Sequence, residues 1–175
     1  MSRISHKALV AAISKIRDMN LEEKVRLVDE IHLMQPHMFG SFLVQGQLGV
    51  PLQKMDFLLD ILLVCFQAMK ESQLHWPLIS EDEQERQLTR YTAIVKFADD
   101  LHGTLRDTAL VDYMATHPEK LLFAYVHGEI VAWLARVQPE ESDKYVMLAA
   151  INYVNCIAHV SMSDINSAHP RAGLG

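Results

Sequence analysis

A chain of 175 residues, half of them apolar and 22% charged, is one domain by length and can bury a full core without disulfide staples. Only 7 glycines and 6 prolines punctuate it, and strand-rich domains need more turns than that allows. The formal net charge is −6 and no run of Lys and Arg interrupts it, so a nucleic-acid partner is disfavoured because such a surface repels phosphate.

Residues 1–17 alternate charged and apolar side chains and lack the continuous apolar run of a secretory signal. Within them Ser5 is placed to cap a first helix, and Ala8, Leu9, Ala12, Ile13 and Ile16 recur at the spacing of one helical face. Asn20 with Glu23 three residues on is a capping-box spacing for a second helix, whose apolar side is expected from Val25, Val28 and Ile31, less regularly Leu27. Pro36 ends that helix and suits the first turn of a short third one, closed by Gly46 and Gly49.

A fourth helix is expected from Pro51 to about Gln73, with Leu52, Met55, Leu59, Leu62, Phe66 and Met69 inward. Asp56, Asp60, Gln67 and Lys70 make a polar stripe that Leu63 interrupts. The most apolar stretch, residues 57–66, carries Asp60 and is too short for a bilayer, which takes about 20 residues. The connection that follows, Leu74, His75, Trp76, Pro77, Leu78 and Ile79, is apolar where connections are normally polar. Leu74, Trp76, Pro77, Leu78 and Ile79 are therefore expected to pack back on the body or to meet a partner.

Ser80 with Glu83 starts a fifth helix running to about His102, with Leu88, Tyr91, Ile94, Val95, Ala98 and Leu101 inward. Gly103 terminates it, and Thr104 with Asp107 starts a short sixth helix. Pro118 restarts an almost wholly apolar seventh helix to about Val137, and Ser142 caps an eighth to about Val160. The aperiodic tail, residues 161–175, is expected to fray or be disordered. Cys65 and Cys156 lie in apolar stretches and read as buried free thiols, which fits a reducing, cytoplasmic compartment.

The pattern contains a candidate duplication. Leu27-Val28-Asp29 returns as Leu110-Val111-Asp112, and Gln35-Pro36 as His117-Pro118. Val44-x-Gly46 returns as Val126-x-Gly128, while Lys54, Leu58, Ile61, Val64 and Ala68 align with Lys144, Leu148, Ile151, Val154 and Ala158. The expected fold is all-α: one domain over residues 1–160, a compact bundle of seven or eight helices. It is read as a tandem duplication of a four-helix unit (halves 4–73 and 80–160) or as chance likeness between amphipathic helices.

Chemistry-bearing motifs are few. Asp29 with His32, and Asp99 with His102, are carboxylate-x-x-His pairs, but Asp reaches poorly for a bundle metal site and a solvated face explains them as well. No zinc-knuckle cysteine spacing, phosphate-cradling glycine loop or nucleophile elbow is present, and no metal or cofactor is implied. On the seventh helix, His127 and Glu129 are isolated polar residues. Tyr125 and Trp133 lie four residues either side of Glu129, which is either a desolvated carboxylate of the general-acid type or a side chain facing water or paired with Lys or Arg. Asn152, Asn155 and His159 form a polar stripe on the eighth helix that lines a pocket opposite Glu129 or faces water. The reading favoured by these residues is a non-enzymatic, self-associating helical interaction or regulatory module with a protein partner and no membrane or nucleic-acid partner. Its rival is a small-molecule binder or enzyme with an inter-helix pocket around Glu129 and Asn152.

Overall fold

The computed structural model describes residues 2–99 and 103–162, and among them the fold is all-α, with eight helices and no strand. In chain order these are α1 (His6–Asp18), α2 (Leu21–Met34), α3 (Pro36–Gln47), α4 (Leu52–Glu71), α5 (Glu81–Asp99), α6 (Thr104–Thr116), α7 (Lys120–Leu134) and α8 (Asp143–His159). No helix of the described residues is long and apolar enough to cross a membrane. His102 and residues 163–175 lie outside the described residues, as does the side chain of Asp99, so the second Asp-x-x-His pair and most of the tail do too.

The local signals act where the sequence puts them. The Ser5 hydroxyl accepts the Ala8 N–H at 3.1 Å, and Asn20 and Glu23 close a reciprocal capping box on α2. Pro36 opens α3 in its first turn, and the Ser80 hydroxyl accepts the Glu83 N–H at 3.2 Å. Ser142 makes no side-chain cap on α8. The Asp143 carboxylate takes the Glu140 N–H at 3.0 Å instead, fixing the turn between α7 and α8. Gly103 precedes α6 with a positive φ of 57°, which suits glycine.

Two helices form the centre. α4 is covered on every side from Ile61 through Met69, and α8 from Ala149 through Ala158, and the two pack on each other. α1 lies along α4, α5 along α8, and α3 and α7 touch both central helices. Leu63 and Gln67, expected on a polar stripe, are buried because α4 has no solvent side at that level. Leu52, expected inward, is 84% exposed, while Lys54 and Met55 in the same first turn of α4 are buried. On α2 the buried pair is Leu27 and Ile31, spaced four apart, and Val25 turns outward.

α5 departs most from expectation. Its buried residues near α8 are Glu83, Gln84 and Gln87, while Leu88 is partly exposed. The seam between α5 and α8 is polar: Gln87 donates to Glu83 at 2.8 Å, and the Asn152 amide donates to the Gln84 carbonyl at 3.0 Å.

In the aligned Gln35-Pro36 and His117-Pro118 turns the residue before proline is buried and bonded across the fold. The Gln35 amide clamps the connection between α4 and α5, donating to Pro77 O at 2.8 Å and accepting the Ile79 N–H at 2.9 Å. His117 bonds to Asn155 of α8 at 3.0 Å. The aligned lysines differ in setting: Lys54 is buried against Asp143, and Lys144 is exposed beside Glu141.

Candidate functional site

α3, α5 and α8 meet around a groove of about 540 Å³. α3 contributes Ser41, Val44 and Gln45, α5 contributes Glu81, Gln84, Glu85 and Leu88, and α8 contributes Tyr145, Leu148, Ala149, Asn152 and Tyr153. At this groove the Asn152 amide joins α8 to α5 through the Gln84 carbonyl.

Three residues lining the groove each carry a buried side-chain atom that makes no well-formed hydrogen bond among the described residues: Gln84 Oε1, Asn152 Oδ1 and the Tyr153 hydroxyl, which lies beside Ser41. Their residues are 7%, 9% and 1% exposed. Buried polar atoms are almost always bonded, so three of them around one space is a signature of missing company. Burial drives the Tyr153 phenol well above its ordinary pKa, with the adjacent Ser41 side chain opposing the shift, so it enters any interaction with its proton on.

The partnered ends define what the others offer. Asn152 Nδ2 donates to Gln84 O, Gln84 Nε2 to Ser80 O at 3.5 Å, Gln45 Nε2 to Ser41 O at 3.0 Å, and the Ser41 hydroxyl to Met38 O at 2.8 Å. On the rim, Glu81 reaches His37 at 3.1 Å and Glu85 is exposed.

A second cavity of about 410 Å³ lies between α5, α6, α7 and α8, lined almost wholly by apolar and aromatic side chains such as Tyr91, Phe123, Ile130 and Met147. Leu148 borders both spaces. Burial pushes the Tyr91 phenol up to about 12.

A third polar centre is closed. Glu119, 1% exposed, accepts the Ser2 hydroxyl and the Arg3 N–H, each at 2.5 Å, and the Ile4 N–H at 3.1 Å. His117 Nδ1 accepts the Glu119 N–H at 3.1 Å, so its Nε2 carries the proton toward Asn155 Oδ1, which also accepts from Tyr113 at 3.2 Å. The Arg3 guanidinium caps α8 through the Ile157 and Val160 carbonyls. Burial lowers the His117 and His159 pKa values.

The residues singled out in the sequence fall in different places. Asn152 lines the groove, Asn155 belongs to the His117 centre, and half-buried His159 stands beside His117 with ring centroids 6.0 Å apart. His127 is exposed at the edge of the second cavity, stacked on Phe123. Glu129 is half-buried near Tyr125, lines neither cavity, and adds to the burial that raises the Tyr125 pKa. Trp133 stacks on Phe57 at 4.7 Å. These side chains do not converge on one space. Asp29 and His32 are exposed on α2, and no group of three or more potential metal-ligating His, Cys, Asp or Glu gathers among the described residues.

In the connection between α4 and α5, the Trp76 indole N–H donates to Met69 O at 2.9 Å and Ile79 is fully buried, so these two fasten the segment to the body. Pro77 is half-buried, and Leu74 and Leu78 are exposed. Sequence reasoning missed Gln84 and Tyr153. The run Glu83, Gln84, Gln87 marks a polar side of α5 at helical spacing, but nothing in it reveals that this side faces inward. No family model, no curated protein and no solved structure matches the chain.

Proposed function

We propose that this chain is a non-enzymatic binding protein that holds a small ligand in the groove between α3, α5 and α8. The supporting observation is that Gln84, Asn152 and Tyr153, which all line the groove, each carry a buried side-chain atom without a well-formed hydrogen bond. A ligand that bonds to them relieves a desolvation penalty already present in the free protein. The site is then centred on Asn152 and Gln84, and Glu129 has no part in it. Free, buried Cys65 and Cys156 suit a cytoplasmic setting.

The test is an NMR-detected fragment screen on the wild type and on Val44→Trp, which plugs the exposed lip of the groove. Fragments are expected to shift resonances of Gly40, Ala149 and Tyr153 in the wild type and to lose that effect in the variant. A screen with no response at these positions counts against the groove.

A second reading, self-association, is favoured by a different observation. Gln35 ties the connection to the end of α2, which brings exposed Leu33 and Met34 to the same end of the molecule as exposed Leu74 and Leu78. A symmetric pairing of that end would cover them. The two readings rest on different residues.

A further inference from the structure

The second cavity, between α5, α6, α7 and α8, has a different make-up from the groove. Phe123, Ile130 and Ile151 line it and are almost fully buried, so its depth is apolar. Lys96, His127, Val131 and Lys144 also line it and are exposed, so they form its rim. Half-buried Met114 and Met147 complete the wall with unbranched side chains that adapt to an occupant's shape. A space of about 410 Å³, apolar within and polar at its edge, has the form of a small-molecule site.

The polar lining is Tyr91, Thr92, Lys96, Tyr113, His127 and Lys144, and no Asp, Glu, Asn or Gln stands among the described residues lining the cavity. Most of these groups are engaged. The Thr92 hydroxyl donates to Leu88 O at 2.7 Å and that of Tyr113 to Asn155 Oδ1 at 3.2 Å. Lys144 is shared with Glu141 at 3.1 Å, outside the lining, and lies over the Tyr145 ring. Lys96 makes no ion pair among the described residues. A carboxylate at this rim meets an uncommitted ammonium and no like charge among the described lining residues, whereas an ammonium meets its own sign. The Tyr91 phenol, kept in its neutral form by burial, adds a donor from the same helix as Lys96.

We propose that this cavity binds a small apolar monocarboxylate, its body against Phe123, Ile130 and Ile151 and its carboxylate at the rim on Lys96. The site is separate from the groove: the two share Leu148 and no polar residue.

Octanoate, octylammonium and octan-1-ol share a chain and differ in the head, and titrations followed by calorimetry and NMR compare them. Octanoate is expected to shift the Ile130, Met147 and Ile151 resonances below its micellar range and to bind about tenfold more tightly than octylammonium, a preference that shrinks with added salt. Lys96→Met keeps the side-chain stem at an exposed position. It is expected to weaken octanoate about threefold and to leave octanol binding and the urea midpoint in place. Met147→Trp, which fills the space, is expected to abolish octanoate binding, and Val44→Trp in the groove to leave it unchanged. A 4-phenylbutanoate that binds more tightly than octanoate assigns an aryl body, and weaker binding an alkyl one; either supports the class. Octylammonium that binds as tightly as octanoate, or a Lys96→Met protein that keeps the full preference, overturns the carboxylate assignment. Octanoate binding that survives Met147→Trp, or silence from every probe, overturns the site.

Discussion

A buried hydroxyl without a well-formed hydrogen bond, such as that of Tyr153 beside Ser41, has lost the water it bonded in the unfolded chain and gained little in exchange. Tyr153→Phe removes that hydroxyl and keeps the packing. Its stability in urea is expected to be unchanged or raised by up to about 1 kcal/mol. A marked loss of stability would mean the hydroxyl is already satisfied inside the protein. Glu119 is the opposite case. Its carboxylate gathers three donors from residues 2–4, and Glu119→Gln removes the charge from all three bonds. The expected loss is about 2 kcal/mol in urea unfolding, the scale of hydrogen bonds to a buried charged group.

His117 and His159 make stability depend on pH. Burial holds both below the ordinary value of 6.5, so the unfolded chain takes up protons in a range where the folded chain does not. Stability from this source is complete above 6.5 and is lost as pH falls from there through the depressed folded values. The bond from His117 to Asn155 and the charge of Glu119 oppose the shift of His117, and Arg90 reinforces both shifts. Protonating Nδ1 of His117 also breaks its bond with the Glu119 N–H. Melting temperature is expected to fall between pH 7 and pH 5, and less steeply in His117→Gln.

At the level of helices, the turn between α7 and α8 is pinned to α4 by one lysine. Lys54 Nζ meets Asp143 at 2.5 Å, Glu140 at 2.9 Å and Gln138 O at 2.8 Å. Burial acts against the charges, yet these bonds prevail, raising the Lys54 pKa and lowering that of Asp143. Lys54→Met leaves the buried Asp143 carboxylate without its cation and is expected to lower the melting temperature clearly. Lys54→Met with Asp143→Leu is expected to recover most of the loss. Recovery that fails would show that packing, not charge, ties the turn.

The caps at Ser5, Asn20 and Ser80 and the start at Pro36 were readable because each depends on residues within four positions along the chain. The all-α class followed from the same local signals. The inward side of α5 was not readable, because ranking faces by hydrophobicity assumes an apolar neighbour. α8 instead presents Asn152, and Glu83, Gln84 and Gln87 turn toward it. The candidate site suffered in the same way. Asn152 stood out as polar among apolar neighbours, but its partner Gln84 is 68 positions away and α3 is farther still. Glu129 lies near Tyr125 as its helix spacing implies, but Trp133 stacks on Phe57 and Glu129 lines neither cavity.

For the whole molecule, the exposed apolar end near α2 bears on assembly. Met34→Lys with Leu78→Glu places charge where a second copy would pair. Sedimentation is expected to show a wild-type dimer dissociating with dilution and a monomeric double variant. A wild type that stays monomeric at high concentration removes the self-association reading and leaves the groove untouched.

The two thiols sit in the paired central helices, Cys65 on α4 and Cys156 on α8, each pushed by burial up to about 12. Neither presents a nucleophile to solvent until α4 and α8 separate. The chain therefore carries its own chemical clock. The rate at which a disulfide reagent colours the native protein measures how often its centre opens, with no added label or inserted residue.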